Sequence, residues 1–401
     1  MDMETPPLPP GTPPPLTPPP PLTPPPIITS LPAAKPRRSW GWMIVAIILF
    51  VLLGISLLGN FAQLFSRAIN FGSGINRGLR TSSTRELGPR LDEYVLEDND
   101  SQRKIAVVEV EGIITDHSED RAGNNMVDVI KAQLERAKED KRVKAVILKV
   151  DSPGGEVMAS DEINRIIANF QKDTLAESGK PVLHGKPVIC SMGSLAASGG
   201  YYISVPCRWI VANELTITGS IGVIMHGWNY RGLMDKVGIA PMTYKSGKFK
   251  DMLSGERSTN DIPPEEHAMV QALIDETYGR FTNVVCAGRA QAHQKNNLEG
   301  QALATNWTSF VDGRVLSGSE ALKHGFVDEL GDFDKAVERA RTIAGIPDAN
   351  LIEYRERYDI SDLFSMFGQS SSAHDIKLDL GVEIPKLQAG QLYFLSTTFV
   401  N

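Results

Sequence analysis

Between Lys104 and Ala344, short runs rich in β-branched residues alternate with stretches of helical spacing, which leaves few folds open to the chain. IAVVEVEGIIT, starting at Ile105, reads as a buried strand, and Met126, Val129, Ile130, Leu134 and Ala137 then recur at helical spacing. AVILKV, from Ala145 to Val150, is a second strand. Glu156 to Phe170 is again helical, with Ile163, Ile166, Ile167 and Phe170 on one face. KPVICSM supplies a third strand and WIVANELTITGSIGVI further short ones. The alternation predicts an α/β domain with parallel strands. A long helix is expected from about Pro264 to Arg289, opened by Pro-Pro-Glu-Glu, and two more at Ser317–His324 and Phe333–Ala344.

The prolines are spread unevenly along the 401 residues, with most of the 26 crowded into the first 36. Such a tract forms polyproline II but buries no core, so residues 1–38 read as a disordered arm. It serves as an exposed spacer or, alternatively, as a ligand for a proline-recognition domain. Lys35, Arg37 and Arg38 follow, and then an apolar run in which Trp42 to Leu58 carries no charge. About 20 such residues span the hydrocarbon layer as a helix. The run is too long for a signal peptide's apolar region and lacks a small-residue cleavage site, so residues 39–66 are expected to be an uncleaved transmembrane anchor. Arg67, Arg77 and Arg80 balance the basic residues before the span, so charge leaves its orientation open. Residues 67–103 read as a juxtamembrane linker. A folded domain over 104–345 and a peripheral extension over 346–401 complete the organisation.

A net charge of −7 argues against a nucleic-acid partner, which would need basic patches facing phosphates. Cys190, Cys207 and Cys286 are odd in number and have no CxxC spacing. They predict neither a disulfide framework nor a zinc knuckle, and read as buried free thiols.

Three glycine-containing segments stand at strand ends, where α/β folds place ligands. In VDSPGGEV (Val150 to Val157), Gly154 and Gly155 free backbone N–H groups before a helix, which suits an anion site or an ordinary strand-to-helix turn. In SMGSLAASGGYYIS (Ser191 to Ser204), Ser198 is surrounded by small residues. A serine nucleophile needs close substrate approach and a free N–H just after it; tight packing is the alternative use of such residues. TYKSGKFKDMLSGE (Thr243 to Glu256) carries Lys245, Lys248 and Lys250. A lysine acting as base must be desolvated or placed beside positive charge, since moving a pKa from about 10.4 to about 7 takes roughly 4–5 kcal/mol. Solvated surface positions are the alternative for each of the three.

The ordered set DSPGG, MGSLAASGGYYIS, TGSIGVI, KSGKFKD and DGRVLSGSEALKHGFVDELG resembles the signal peptide peptidase A (SppA) family over about Lys104 to Ala344. The resemblance implies a ClpP/crotonase-like fold of repeated ββα units, preceded by one transmembrane helix. It matches Ser198 to the family's nucleophile and Lys250 to its general base, leaving Lys245 and Lys248 as surface neighbours. Ser220 matches the serine that orients the lysine. Gly155, with Gly154 beside it, and Gly199 match the oxyanion N–H donors.

A single copy of each segment implies the short form, a ring of protomers with active sites shared between neighbours. Peptide substrates such as cleaved signal peptides and other membrane-released peptides are implied, with small apolar residues at the cleavage position and no metal or organic cofactor. The implied location is the bacterial inner membrane, single-pass, with the peptidase domain outside the cytoplasm. The proline arm, the Gln171 to Lys186 loop, SGERSTND and the C-terminal tail depart from the family pattern. None of the seven histidines has metal-ligand or triad spacing, His226 being the one alternative base worth testing. An inactive membrane scaffold of the same fold and a crotonase-type acyl-CoA enzyme are the rival readings.

Overall fold

Valine and isoleucine in unbroken runs suit strands buried on both faces, the condition of a parallel sheet covered by helices. A computed structural model describes residues 49–50, 88–117, 124–175, 181–357 and 391–395. The strands are β1 (Leu91–Glu97), β2 (Lys104–Ile114), β3 (Val143–Glu156), β4 (Thr174–Leu175), β5 (Pro181–Leu183), β6 (Val188–Ala197), β7 (Trp209–Ala212), β8 (Ile217–Gly219), β9 (Ile224–Met225), β10 (Val315–Ser317), β11 (Glu329–Leu330), β12 (Asn350–Glu356) and β13 (Leu392–Leu395). The helices are α1 (Met126–Glu139), α2 (Val157–Phe170), α3 (Gly199–Ser204), α4 (Arg231–Val237), α5 (Pro264–Lys295), α6 (Gly318–Lys323) and α7 (Phe333–Ala344).

Eleven strands form one mixed sheet with a main path β1-β12-β2-β3-β6-β7-β11. Its interior pairs, from β12 to β11, are parallel. Antiparallel pairing is confined to β1 on β12, β10 on β8, and β13 on β3 and β9, with β4 and β5 forming a separate hairpin.

The two-residue period sorts strand side chains to opposite faces. In β3, Val146, Leu148 and Val150 join a core cluster with Ile130 and Leu134 of α1 and Ile163 and Ile167 of α2. Ala145 and Ile147 join a second cluster with Ala336, Val337 and Ala340 of α7. Each buried aliphatic side chain contributes about 1.5–3 kcal/mol, so the two cores fix where the strands end. Helix α1 starts where expected because the Asn125 side chain accepts the Asp128 N–H.

The structure changes several expectations. Leu91–Glu97, expected within a linker, is a strand; its side chains are mostly exposed at a sheet edge, so no buried periodicity marks it. Asn350–Glu356, expected in a peripheral extension, lies between β1 and β2 and buries Leu351, Ile352, Glu353 and Tyr354. The second and third strands run through their glycine segments instead of stopping before them, as β3 to Glu156 and β6 to Ala197. Cys190 and Cys207 are buried free thiols, but Cys286 is exposed.

The chain divides into two compact units, Met1–Thr84 and Arg85–Asn401. In the first, Leu49 and Phe50 are helical and exposed. Among the described residues no helix is long and apolar enough to cross a membrane. The proline arm and, apart from those two residues, the expected anchor lie outside the described residues.

Candidate active site

The parallel strands β3, β6 and β8 bring three sequence segments to one place. Ser152 of β3 pairs with Ala196 of β6, and Ala197 of β6 pairs with Gly219 of β8. The register therefore sets Gly154–Gly155, Ser198–Gly199 and Ser220 side by side at the carboxyl ends of the strands, where open α/β sheets hold ligands.

Ser198 sits at the junction of β6 and α3 with φ 55° and ψ −114°, a conformation that costs a non-glycine residue about 1–3 kcal/mol. It is held there by its own backbone: its N–H donates to Gly219 O at 2.8 Å and its carbonyl accepts from Tyr202 N–H at 2.8 Å. The residue is 1% exposed. Ser220 is also left-handed, with φ 50°. Its N–H donates to Arg314 O at 2.7 Å. Two non-glycine residues in this region at adjacent strand ends mark stored strain of the kind that clusters at functional sites.

Glycine is required at the neighbouring positions by contact distance. A Cβ on Gly154, whose φ is +99°, would stand 2.5 Å from Gly199 N and 2.0 Å from Phe394 O. One on Gly155 would stand 1.9 Å from Ile114 O, and one on Gly199 would stand 3.0 Å from Gly155 N. The Gly155 and Gly199 N–H groups thus belong to one tightly packed backbone cluster beside Ser198. Ser152 Oγ accepts the Gly154 N–H at 3.1 Å and fixes that turn.

Strand β13 completes this rim, running antiparallel to the end of β3 with Phe394 opposite Gly155. Phe394 is buried, with its ring 4.9 Å from Tyr202 and 4.6 Å from Phe281. The sequence gives no sign of this placement, since the four residues LYFL, within the expected peripheral extension, are too few to show a period. Nor does it point to Ser160, whose buried Oγ has no hydrogen-bond partner among the described residues and lies 2.7 Å from where a Gly199 Cβ would be.

Lys250 is on an exposed loop. Among the described residues no hydrogen bond or ion pair joins it to Ser198 or Ser220. Lys245 is bound to Asp251 at 2.7 Å, and Lys248 stands 3.8 Å from Glu265. His226 is exposed after β9.

Beside Gly155, Glu156 accepts from Thr115 Oγ1 at 3.2 Å and from Asp116 N–H at 3.2 Å. Burial, reinforced by the nearby Asp116 carboxylate, raises its carboxyl above the usual range. Asp116, His117 and Glu156 bring ligating atoms within 4.8 Å of one another, and an exposed acid–base cluster has the same geometry.

A model described as peptidase family S49 matches residues 182–346. A putative signal peptide peptidase SppA of Enterococcus faecium is 36% identical over 269 residues, 66% of this chain and 71% of its own length. A putative protease of Synechocystis is 39% identical over 246 residues, 61% of this chain and 76% of its own. Protease 4 of Haemophilus influenzae is 36% identical over 260 residues, 64% of this chain but 37% of its own. Among solved structures, the 1510-N membrane-bound stomatin-specific protease in complex with a substrate peptide aligns with TM-score 0.34 and 18% identity, covering 66% of this chain and 97% of its own.

Proposed function

Because the chain belongs to the signal peptide peptidase A family of serine proteases, peptidase family S49, we propose that it is a membrane-anchored endopeptidase working through a Ser198/Lys250 dyad. The observation that carries this reading is the left-handed Ser198 between β6 and α3, with the Gly155 and Gly199 backbones packed beside it. Such a junction presents a hydroxyl and leaves a following N–H free, which is what attack on a carbonyl requires.

In the proposed reaction neutral Lys250 Nζ takes the proton of Ser198 Oγ as that oxygen bonds to the scissile carbonyl carbon. The oxyanion is met by the N–H groups of Gly155 and Gly199, and Ser220 orients the lysine. Protonated Lys250 then gives its proton to the departing amine as the C–N bond breaks. Water, deprotonated by the same lysine, releases the acyl group and restores Ser198. No step calls for a metal or organic cofactor.

Within one protomer Ser198 is buried and Lys250 is exposed, with no hydrogen bond between them among the described residues. The loop bearing Lys250 extends from a segment exposing Trp228, Leu233, Val237 and Met242 at 83, 64, 61 and 78%. A second copy covering that surface would bring Lys250 to its neighbour's Ser198, so the reading includes a ring of ClpP/crotonase-like protomers with shared sites. Cleaved signal peptides and other membrane-released or misfolded peptides are its substrates, at the outer face of a bacterial inner membrane. The proline arm then faces the cytoplasm, available to a proline-recognition partner.

The test is complementation. Ser198→Ala and Lys250→Ala proteins are each expected to lose peptide hydrolysis by about 10³-fold or more. Mixed rings of the two regain it. Hydrolysis that survives either substitution would sink the dyad, and silence in verified mixed rings would sink the shared site. Peptide hydrolysis by the parent protein also excludes the inactive scaffold and the acyl-CoA enzyme.

A further inference from the structure

The segment that carries Lys250 is held to α5 chiefly through Arg257 and Glu266. Helix α4 buries none of its side chains, and Tyr230 before it bonds through its N–H to Gly255 O at 2.9 Å. Under Lys250 the picture changes. Lys245 Nζ bonds both carboxylate oxygens of Asp251, at 2.7 and 2.8 Å, and closes a ring of backbone around residues 245–251. Arg257 donates to Glu266 at 2.7 Å, to Asp261 O at 2.7 Å and to Asp251 O at 3.4 Å. The other oxygen of Glu266 accepts the Leu253 N–H at 3.1 Å.

Leu253 is the strained element. Its φ is 67°, a region a leucine enters at a cost of about 1–3 kcal/mol, and its side chain is half exposed, so packing does not compel the conformation. What compels it is Glu266, a carboxylate only 3% exposed in the first turn of α5, gripping Leu253 N–H and Arg257 together. Burial raises the Glu266 carboxyl, but Arg257 and the Leu253 N–H outweigh it and hold the group below the usual carboxylate range. A partly buried ion pair is a poor source of net stability, and its best-attested use is to specify geometry.

We propose that Arg257 and Glu266 are positioning residues: they clamp the left-handed turn at Leu253 and thereby set the direction in which Lys250 is presented. The inference rests on the dyad reading. It assigns the clamp no contact with substrate.

The experiment uses the assembled full-length protein and a peptide substrate. Glu266→Gln and Arg257→Met are each expected to lower kcat about tenfold or more with KM within about twofold, because a misaimed base harms the chemical step and spares ground-state binding. Oligomer size and melting temperature stay near those of the parent. Adding Leu253→Gly to Glu266→Gln restores part of the lost kcat, since glycine takes the left-handed turn unaided. If Lys250→Ala is inactive while Glu266→Gln keeps kcat within about twofold, the clamp alone is wrong. If Lys250→Ala is active, the dyad fails and the clamp with it. A fall in kcat that tracks loss of the oligomer or of thermal stability, with no rescue by Leu253→Gly, reduces the clamp to a stability effect and overturns the proposal.

Discussion

Ser198 and Lys250 sit on regions built in opposite ways. Around Ser198 the backbone is bonded to Gly219 and Tyr202, the glycines touch neighbouring backbone, and two hydrophobic cores back the strands. Around Lys250 the chain is exposed, and four charged side chains, Lys245, Asp251, Arg257 and Glu266, bond across it. Helix α5 spans both worlds: of its 32 residues, Phe281, Val285, Arg289 and Ala292 are buried in its second half, against Glu266 alone in its first. The contrast teaches that, on the proposed dyad, the nucleophile would be prepared within the protomer and the base by a loop that a second copy covers.

The strongest way to break the comparison is Gly154→Ala. With φ +99° and a Cβ 2.0 Å from Phe394 O and 2.5 Å from Gly199 N, backbone on both sides must move. Hydrolysis should fall by about 10²-fold or more, as for a displaced oxyanion donor, whereas Gly247→Ala, with open space at its Cβ, serves as the tolerant comparison. Equal activity of the Gly154→Ala and Gly247→Ala proteins would deny that the core half is preformed.

Next in size is the anchor of α5. Arg289 and Asp328 form a fully buried ion pair, and Asp328 also accepts the Ile210 N–H at 2.8 Å. Arg289→Ala leaves that carboxylate without its cation and should cost about 3–5 kcal/mol in chemical denaturation. A loss below 1 kcal/mol, on the order of a surface substitution, would make α5 as loosely held at its base as at its tip.

The smallest effect on stability belongs to the exposed segment. Leu233→Ser, at a side chain 64% exposed, should change protomer stability by no more than about 0.5 kcal/mol. If this surface joins copies as proposed, its consequence appears instead in sedimentation, as a shift from the assembled form to smaller species. A protein that assembles as before would remove this surface from the interface.

Much of the core half was legible in sequence because repetition marks it. The valine-rich runs gave β2, β3 and β6, and Ile163, Ile167 and Phe170 gave α2. Ser198, Ser220 and Gly155 could be named as candidates from ordered motifs, and parallel register brings them together. The edges were harder. β1 is exposed along nearly its whole length, so burial imposes no alternation on it, and β12 is short and carries Glu353 and Arg355 among its apolar residues. The Arg257–Glu266 contact was illegible because no pattern rule links a loop arginine to a carboxylate in the next helix. The strain at Leu253 is likewise invisible, since leucine carries no mark of a left-handed turn.

The position of β12 also sets a timetable. Asn350 pairs in parallel with Lys104, and the strand fills the gap between β1 and β2. A ribosome makes β2, the serine junction and the lysine loop long before it makes β12. Until that late segment emerges, β2 has an open edge and β1 has no partner, and closing so long a loop is slow. The sheet that carries Ser198 is therefore complete only after β12 has been made, well behind the strands it joins.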